Sequence, residues 1–452
     1  KAIAFVRSAM SEPGHVGEPD IYVMDARKGA TPRQLTDFAG PDDGRPAWSP
    51  DGHLIAFTRG DEPKYSAYHL MKLAVVPADG SAPARVVTPA LDRGVSSPKF
   101  AGDGKSVYAL VADDRAEELV RIRLSDGAAV RVTDGKRVVQ SFVLGNDGRV
   151  AVLTTSADRP AEVFALDGAP ALRQLSHQND SLVAALRIAP TEDFASRSKD
   201  GTDVHGILVR PVGARDGEKL PLILYIHGGP NGQDGYSFSF DRQLFAANGY
   251  AVLSVNYRGS AGRGSAYQKA IFADWGDKEV VDLLGAVDEA VRRGIADPDR
   301  LGIGGWSYGG ILTDYTIATT TRFKAAISGA GSALQLTMYG VDQYIPQYDL
   351  ELGTPWTNQA NWLKVSYPFF HADRIKTPTL FMGGSADFNV PIVGGEQMYQ
   401  ALRTLGVPTE LVIYPGQFHG LTVPSYRKDR YDRFLAWYDK WIRMPVKSAS
   451  MP

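Results

Sequence analysis

Six short, almost wholly apolar runs in the second half of this 452-residue chain restrict its fold more than any other feature. They are LPLILYIHGG (220–229), YAVLSVNYRG (250–259), RLGIGGWS (300–307), FKAAISGAG (323–331), PTLFMGG (378–384) and TELVIYPG (409–416). A strand with one wet face alternates apolar and polar residues. A strand that is apolar throughout needs cover on both faces, as in a parallel sheet layered by helices. Helical patterns fall between the runs. In DKEVVDLLGAVDEAVRRG (277–294), Val280, Leu284, Val287 and Val291 recur at i, i+4, i+7 and i+11, one face of a helix. Asp200-Gly201 reads as a hairpin turn between two strands ahead of the first run. The alternation predicts a mostly parallel, doubly wound α/β domain over 186–452.

Residues 1–185 have a different texture. AWSPDGHLIAFTR (47–59), KFAGDGKSVYALV (99–111) and FVLGNDGRVAVLT (142–154) each set a large apolar residue three places before an Asp-Gly turn and follow it with an alternating strand. Between them recur PRQLT, ARVVT, VRVT and LRQLS, ending at Thr36, Thr88, Thr133 and Ser176 with spacings of 52, 45 and 43. Repeats of about 40–50 residues with four short strands each are the pattern of β-propeller blades. About four blades are expected. The opening KAIAFVR matches HLIAFTR at 53–59, so the chain is expected to begin inside a blade, with earlier blades belonging to a parent protein; a four-bladed ring is the alternative.

Bulk properties narrow the function classes. Lysine plus arginine number 49 against 51 aspartates and glutamates, without a basic stripe, so no nucleic-acid partner is expected. No apolar run approaches the ~18 residues of a membrane span, so no membrane partner is expected. The absence of cysteine excludes disulfides and thiolate chemistry but fits an oxidising or a reducing compartment, cytoplasmic or periplasmic. The histidines show no close metal-ligand spacing, and GIGGWSYGG lacks the third glycine of a dinucleotide fingerprint, so neither metal nor cofactor is expected. Oligomeric state is not encoded legibly; a homo-oligomer is compatible with the sequence.

GIGGWSYGGIL (302–312) places Ser307 between glycines two residues away on either side. In a chain with 47 glycines that motif alone is weak. Its setting is more specific, with a strand pattern before it and a helical one after, the sharp turn from which a nucleophilic serine projects above a sheet. Such a serine needs a base, a group to orient the base, and donors for the oxyanion. Of eight histidines only His371 and His419 follow Ser307. His419, in YPGQFHGL, follows a buried-strand run and is the expected base, whereas His371 lies in a helical or loop segment and reads as structural. Asp387, in LFMGGSADFNVP, also follows such a run and is the expected orienting acid, with Asp349 and Asp373 as competitors lacking a strand end. The order serine, acid, histidine is that of α/β hydrolases. Oxyanion donors are expected from the backbone N–H of Tyr308 and from the loop HGGPNG (227–232).

The propeller repeats, followed in order by HGGP, NYRGS, DWG, GGWSYGG, SADFNVP and YPGQFHG, resemble the prolyl oligopeptidase family of serine peptidases, especially its bacterial acylaminoacyl- and dipeptidyl-peptidase-like branches. The resemblance covers essentially the whole chain and is strongest over 192–443. It implies an α/β-hydrolase domain capped by a propeller that admits short peptides and excludes folded proteins, with Ser307, Asp387 and His419 as the catalytic triad. A carboxylesterase or an isopeptidase with the same triad is the alternative. Some branches place an oxyanion-assisting tyrosine where this chain has His227, which leaves backbone donors at Gly228 or Gly229. The dipeptidyl branch holds a substrate amine with paired glutamates; Glu117-Glu118 in DRAEELVRI does not match that motif and reads as a solvated turn. The side chain of Tyr308 is the first candidate for lining a substrate pocket, the aromatic-rich segment 338–362 a second. Arg258 and Arg263 are cations available to a substrate carboxylate, with a structural turn as the simpler reading. SYRKDRYDRFLAWYDKWI reads as an amphipathic C-terminal helix.

Overall fold

A computed structural model describes residues 1–443 apart from 9, 13, 14, 17, 66, 146 and 216. Two compact units divide the chain. The first is Lys1–Arg187 with Gly235–Phe238 and Ala261–Lys269, the second Ile188–Asp234, Ser239–Ser260 and the rest from Ala270.

The first unit is almost entirely β, with short helices at Pro63–Tyr65, Asp180–Ala185 and Ser265–Gln268, and forms propeller blades. Strands Ala2–Arg7, Asp20–Asp25 and Arg33–Gln34 make a three-stranded antiparallel sheet. Asp42–Trp48, Leu54–Arg59, Lys72–Pro77 and Arg85–Val86 make a four-stranded one. Two further four-stranded meanders run from Val95 to Arg131 and from Val138 to Gln174, joined by one parallel bridge between Glu117 and Val138. The apolar core lies between successive sheets. Ile21, Ile55, Phe57, Ala74 and Val76 fill the first interval, Val75, Val95, Val107 and Ile122 the second, and Leu119, Val139, Phe142 and Val152 the third.

The repeated Thr/Ser positions have a common physical reason. The hydroxyls of Thr36, Thr88, Thr133 and Ser176 accept from the backbone N–H of Ile21, Leu73, Leu119 and Val163, at 3.0, 3.0, 2.9 and 2.8 Å. Thr36, Thr133 and Ser176 also donate to the carboxylate one residue earlier on that strand, Asp20, Glu118 and Glu162. In the second sheet Lys72 holds that place and its ammonium bonds the Leu91 carbonyl instead. A buried N–H left unbonded costs about 1–3 kcal/mol, so a hydroxyl recurs wherever the outer strand ends. Glu117 and Glu118 accordingly lie within strand Ala116–Arg123 and not in a turn, and Glu118 is buried. The turn falls on Asp114 and Arg115, both at positive φ.

The second unit carries one eight-stranded sheet: β1 (Thr191–Arg197), β2 (Asp203–Val209), β3 (Leu220–Ile226), β4 (Ala251–Asn256), β5 (Ala296–Trp306), β6 (Ala325–Gly329), β7 (Thr379–Gly384) and β8 (Thr409–Tyr414). The order is β1-β2-β4-β3-β5-β6-β7-β8; β1–β2 and β2–β4 are antiparallel and every later pair is parallel. This is the α/β-hydrolase arrangement, and all six apolar runs supply its strands. Helices α1 (Phe240–Ala247), α2 (Lys278–Arg292), α3 (Tyr308–Thr319), α4 (Val393–Thr404) and α5 (Pro424–Tyr438) belong to this unit. Phe434, Trp437 and Tyr438 are the buried residues of α5. In α3 every position from Tyr308 to Ala318 is buried, and its polar side chains are bonded internally, Thr313 and Thr316 to carbonyls one turn back and Asp314 to the Ser328 hydroxyl.

The buried face of α2 is rotated from the expected one. Val280, Leu283, Ala286, Val287 and Ala290 are buried, while Leu284 and Val291 are only half-buried. The shift follows from two acids on the same face, Glu279 and Asp282, both 0 % exposed. Each has a fixed partner. Asp282 accepts from the Ser198 hydroxyl at 2.6 Å and from the Arg258 backbone N–H at 2.7 Å and guanidinium at 2.8 Å. Arg258 also binds Asp200 at 2.5 Å. Its guanidinium is thus committed to two carboxylates, which fits the simpler, structural reading of Arg258 and not the binding of a substrate carboxylate. The Arg263 guanidinium lies 4.9 Å from the Tyr267 ring centre. Among the described residues no helix is long and apolar enough to cross a membrane.

Candidate active site

Ser307 stands between β5 and α3, at φ 62°, ψ −127°. A non-glycine residue at positive φ costs of order 1–3 kcal/mol and persists only where its surroundings impose it. Here they do. The Ser307 N–H is bound by the Gly329 carbonyl on β6 at 2.9 Å, and its carbonyl accepts from Gly310 and Ile311 at 2.8 and 3.0 Å, starting α3. Glycine is required at 309 because a β-carbon there would collide with the carbonyl oxygen of Ile226 at the end of β3.

Asp387 and His419 come from the turns that follow β7 and β8, at the carboxyl ends of adjacent parallel strands. The two turns are laced together. Ser385 N–H donates to the Tyr414 carbonyl at 3.0 Å, Ala386 N–H to the Gln417 carbonyl at 2.9 Å, and Gly416 N–H to the Ser385 hydroxyl at 2.8 Å. Phe388 and Phe418, the neighbours of the acid and the base, meet edge to face at 6.0 Å. The Asp387 side chain is 1 % exposed, and its two oxygens have separate duties. Oδ1 accepts from the N–H groups of Asn389 and Val390 at 2.8 and 3.0 Å. Oδ2 faces His419 Nδ1 at 2.8 Å. His419 is tied in turn to the serine turn, since the Trp306 indole N–H donates to the His419 carbonyl at 2.8 Å. Fold and hydrogen bonds therefore bring all three residues to one end of the sheet.

The competitors are engaged elsewhere. His371 Nδ1 bonds the Tyr367 carbonyl at 2.9 Å with its ring stacked on Tyr367, and Asp349 accepts from the Tyr339 hydroxyl at 3.0 Å. Asp373 lies in a short turn of 3-10 helix, Ala372–Arg374.

The glycine loop after β3 reaches the serine. A β-carbon on Gly228 would sit 3.2 Å from Ser307 Cβ and 3.7 Å from its Oγ. His227 braces this loop, with Nδ1 2.8 Å from the Gly228 carbonyl, Nε2 3.0 Å from the Ser260 hydroxyl, and its ring stacked on Tyr257 at 4.5 Å. Tyr308 opens α3, where backbone N–H groups point out of the helix start. Its side chain turns into the core, 4 % exposed, and donates to Glu279 Oε1 at 2.7 Å. The expectation that this side chain lines a substrate pocket is corrected, because its ring and hydroxyl are packed against Tyr257, Trp275 and Glu279.

Glu279 is the residue near the site that the sequence reading missed, because a glutamate in a charged helical segment reads as part of a wet face. Burial pushes its carboxyl up to about 8, although Tyr308 and the Gly276 N–H both favour the ionised form. Asp314 on α3 accepts from the Ser328 hydroxyl at 3.1 Å and is pushed up to about 8 by the same cause. A carboxyl whose folded pKa is raised binds its proton more tightly in the native than in the unfolded chain, so each group lowers stability as pH rises from about 4 to 8. Glu279→Gln removes one such term. Between pH 5.5 and 8.5 the variant is expected to lose about 3 kcal/mol less stability than the wild type, read from urea midpoints.

Comparison with known proteins finds relatives over most of the chain. Residues 236–445 match the model of the "Prolyl oligopeptidase family". The chain is 31% identical over 353 residues to "Uncharacterized peptidase YuxL" of Bacillus subtilis, covering 76% of this chain and 53% of that one. It is 28% identical over 434 residues to "Dipeptidyl-peptidase 5" of Porphyromonas gingivalis, covering 94% and 63%. Among solved structures, the acylaminoacyl peptidase of Pyrococcus horikoshii superposes with a TM-score of 0.85 at 26% identity, covering 99% of this chain and 71% of that one. The chain thus spans about half to two thirds of the length of these curated relatives. Taken with the serine turn, the acid–histidine pair and the blades, these matches make the chain similar to the prolyl oligopeptidase family, whose model matches residues 236–445.

Proposed function

We propose that this chain is a serine peptidase acting on short peptides through an acyl-enzyme. Ser307 Oγ attacks the scissile carbonyl while His419 Nε2 takes its proton. The tetrahedral oxyanion is held by the Tyr308 N–H and an N–H of Gly228 or Gly229. Collapse expels the amine, which receives the proton from His419, and water then repeats the sequence to release the acid. Asp387 holds the imidazole with Nδ1 protonated, so that Nε2 is the acceptor. The observation that carries the reading is the 2.8 Å contact between His419 and a buried carboxylate whose other oxygen is saturated by two backbone donors. The names of the relatives, dipeptidyl-peptidase and acylaminoacyl peptidase, support a peptide bond as the substrate. The exclusion of folded proteins by the propeller is part of the same proposal and rests on the family resemblance.

The test is a digest of a peptide library with free and acetylated N-termini, read by mass spectrometry, beside fluorophosphonate labelling and a panel of simple esters. Peptide cleavage with the label on Ser307 is expected, and the released fragments separate endo-, dipeptidyl- and acylaminoacyl cleavage. Ester turnover without amide turnover would replace the peptidase by a carboxylesterase. A serine that takes no label would end the hydrolytic reading.

A further inference from the structure

The residue before the nucleophile is tied to the base. Trp306 ends β5, and its indole N–H donates to the backbone carbonyl of His419, 113 positions along the chain, at 2.8 Å. The ring is itself restrained, since a β-carbon on Gly329 would strike it and the Arg430 guanidinium lies 5.3 Å from its centre. Arg430 is on α5, where it also donates to the Tyr431 hydroxyl at 2.7 Å. The indole is thus a rigid strut rooted in the sheet and the C-terminal helix. The side chain of His419 is oriented through Nδ1 by Asp387, but that bond leaves the position of its backbone relative to Ser307 to other contacts. Gln417, 7 % exposed, ties the following turn by accepting from Thr422 and Val423 N–H at 2.8 and 3.2 Å. Every one of these lies on the histidine side. The Trp306 bond is different because it joins the histidine turn directly to the serine turn.

We infer that Trp306 is a positioning residue for the general base, its indole N–H setting the His419 main chain at the distance from Ser307 that proton transfer requires. This rests on the serine-hydrolase reading above. A general base acts only within hydrogen-bond reach, and a displacement of about 1 Å can cost about a hundredfold in rate. Binding of the substrate does not depend on where the imidazole sits, so the loss falls on kcat and not on KM.

The experiment uses the whole chain and two replacements, Trp306→Phe and a single-site exchange of Trp306 for 3-benzothienylalanine, which keeps the bicyclic shape and lacks the N–H. Both are expected to lower kcat about 10- to 100-fold with KM within about twofold, and to slow fluorophosphonate labelling of Ser307 by the same factor. The benzothienyl form is expected to melt within a few degrees of the wild type, which separates positioning from folding. Wild-type kcat in the benzothienyl form would overturn the inference and leave the peptidase reading standing. A wild-type chain that neither labels nor hydrolyses would overturn both.

Discussion

Ser307→Ala is expected to lower kcat about a millionfold, with the peptide still bound at close to the wild-type KM. Removal of the nucleophile in a serine peptidase forfeits covalent catalysis entirely, and what remains comes from the oxyanion donors and substrate binding. The change is expected to be mild for stability. Ser307 is held by its backbone, through Gly329, Gly310 and Ile311, and alanine keeps those bonds. It also keeps the strained φ of 62°, so the variant neither gains nor loses the turn. Single-turnover hydrolysis of a peptide amide and the melting temperature together check this. A residual rate within a hundredfold of wild type would show that another group performs the attack.

Asp387→Asn is the second large effect, and the surroundings of the carboxylate determine its direction. Two backbone N–H groups, of Asn389 and Val390, point at Oδ1. An asparagine here must offer its carbonyl oxygen to those donors, since its amide nitrogen has no lone pair to give them. That orientation leaves the NH2 facing His419 Nδ1. The imidazole then accepts at Nδ1 and carries its proton on Nε2, where it can no longer take the proton from serine. A fall of about ten-thousandfold in kcat at neutral pH is expected, with geometry and KM preserved. Asp387→Ala, which imposes no tautomer, is expected to lose less than the asparagine variant. Steady-state kinetics of the two side by side test the tautomer account, and an asparagine variant more active than the alanine one would refute it.

The legibility of this chain differs from feature to feature for physical reasons. The blade repeats could be read because each hydroxyl that closes a blade serves an N–H only 13 to 15 residues away, so the need recurs along the chain at the blade spacing. Five of the six strands were legible because double burial leaves no room for polar side chains. The sixth, β8, lies at the sheet edge with Glu410 and Ile413 exposed, and owes its apolar pattern to Leu411, Val412 and Tyr414 on a partly covered strand. Ser307, Asp387 and His419 could be named because each follows a buried-strand pattern, and strand ends are where an open parallel sheet collects its functional groups. Tyr308 was misjudged because an aromatic residue beside a nucleophilic turn looks available to a ligand, and Glu279 was passed over because a glutamate in a charged helix looks solvated. Yet the two satisfy one another inside the core.

Residue type and short-range period thus dictated which segments become strands, which helices, and that Ser307, Asp387 and His419 follow strand ends. The fold alone settled how those side chains are held, because the groups that hold them lie on other strands and helices. Trp306 reaches a carbonyl 113 residues away, and Ser307 draws its main-chain partner from β6. Pairings of that kind depend on the packing of the sheet in three dimensions, and no pattern along the chain records them.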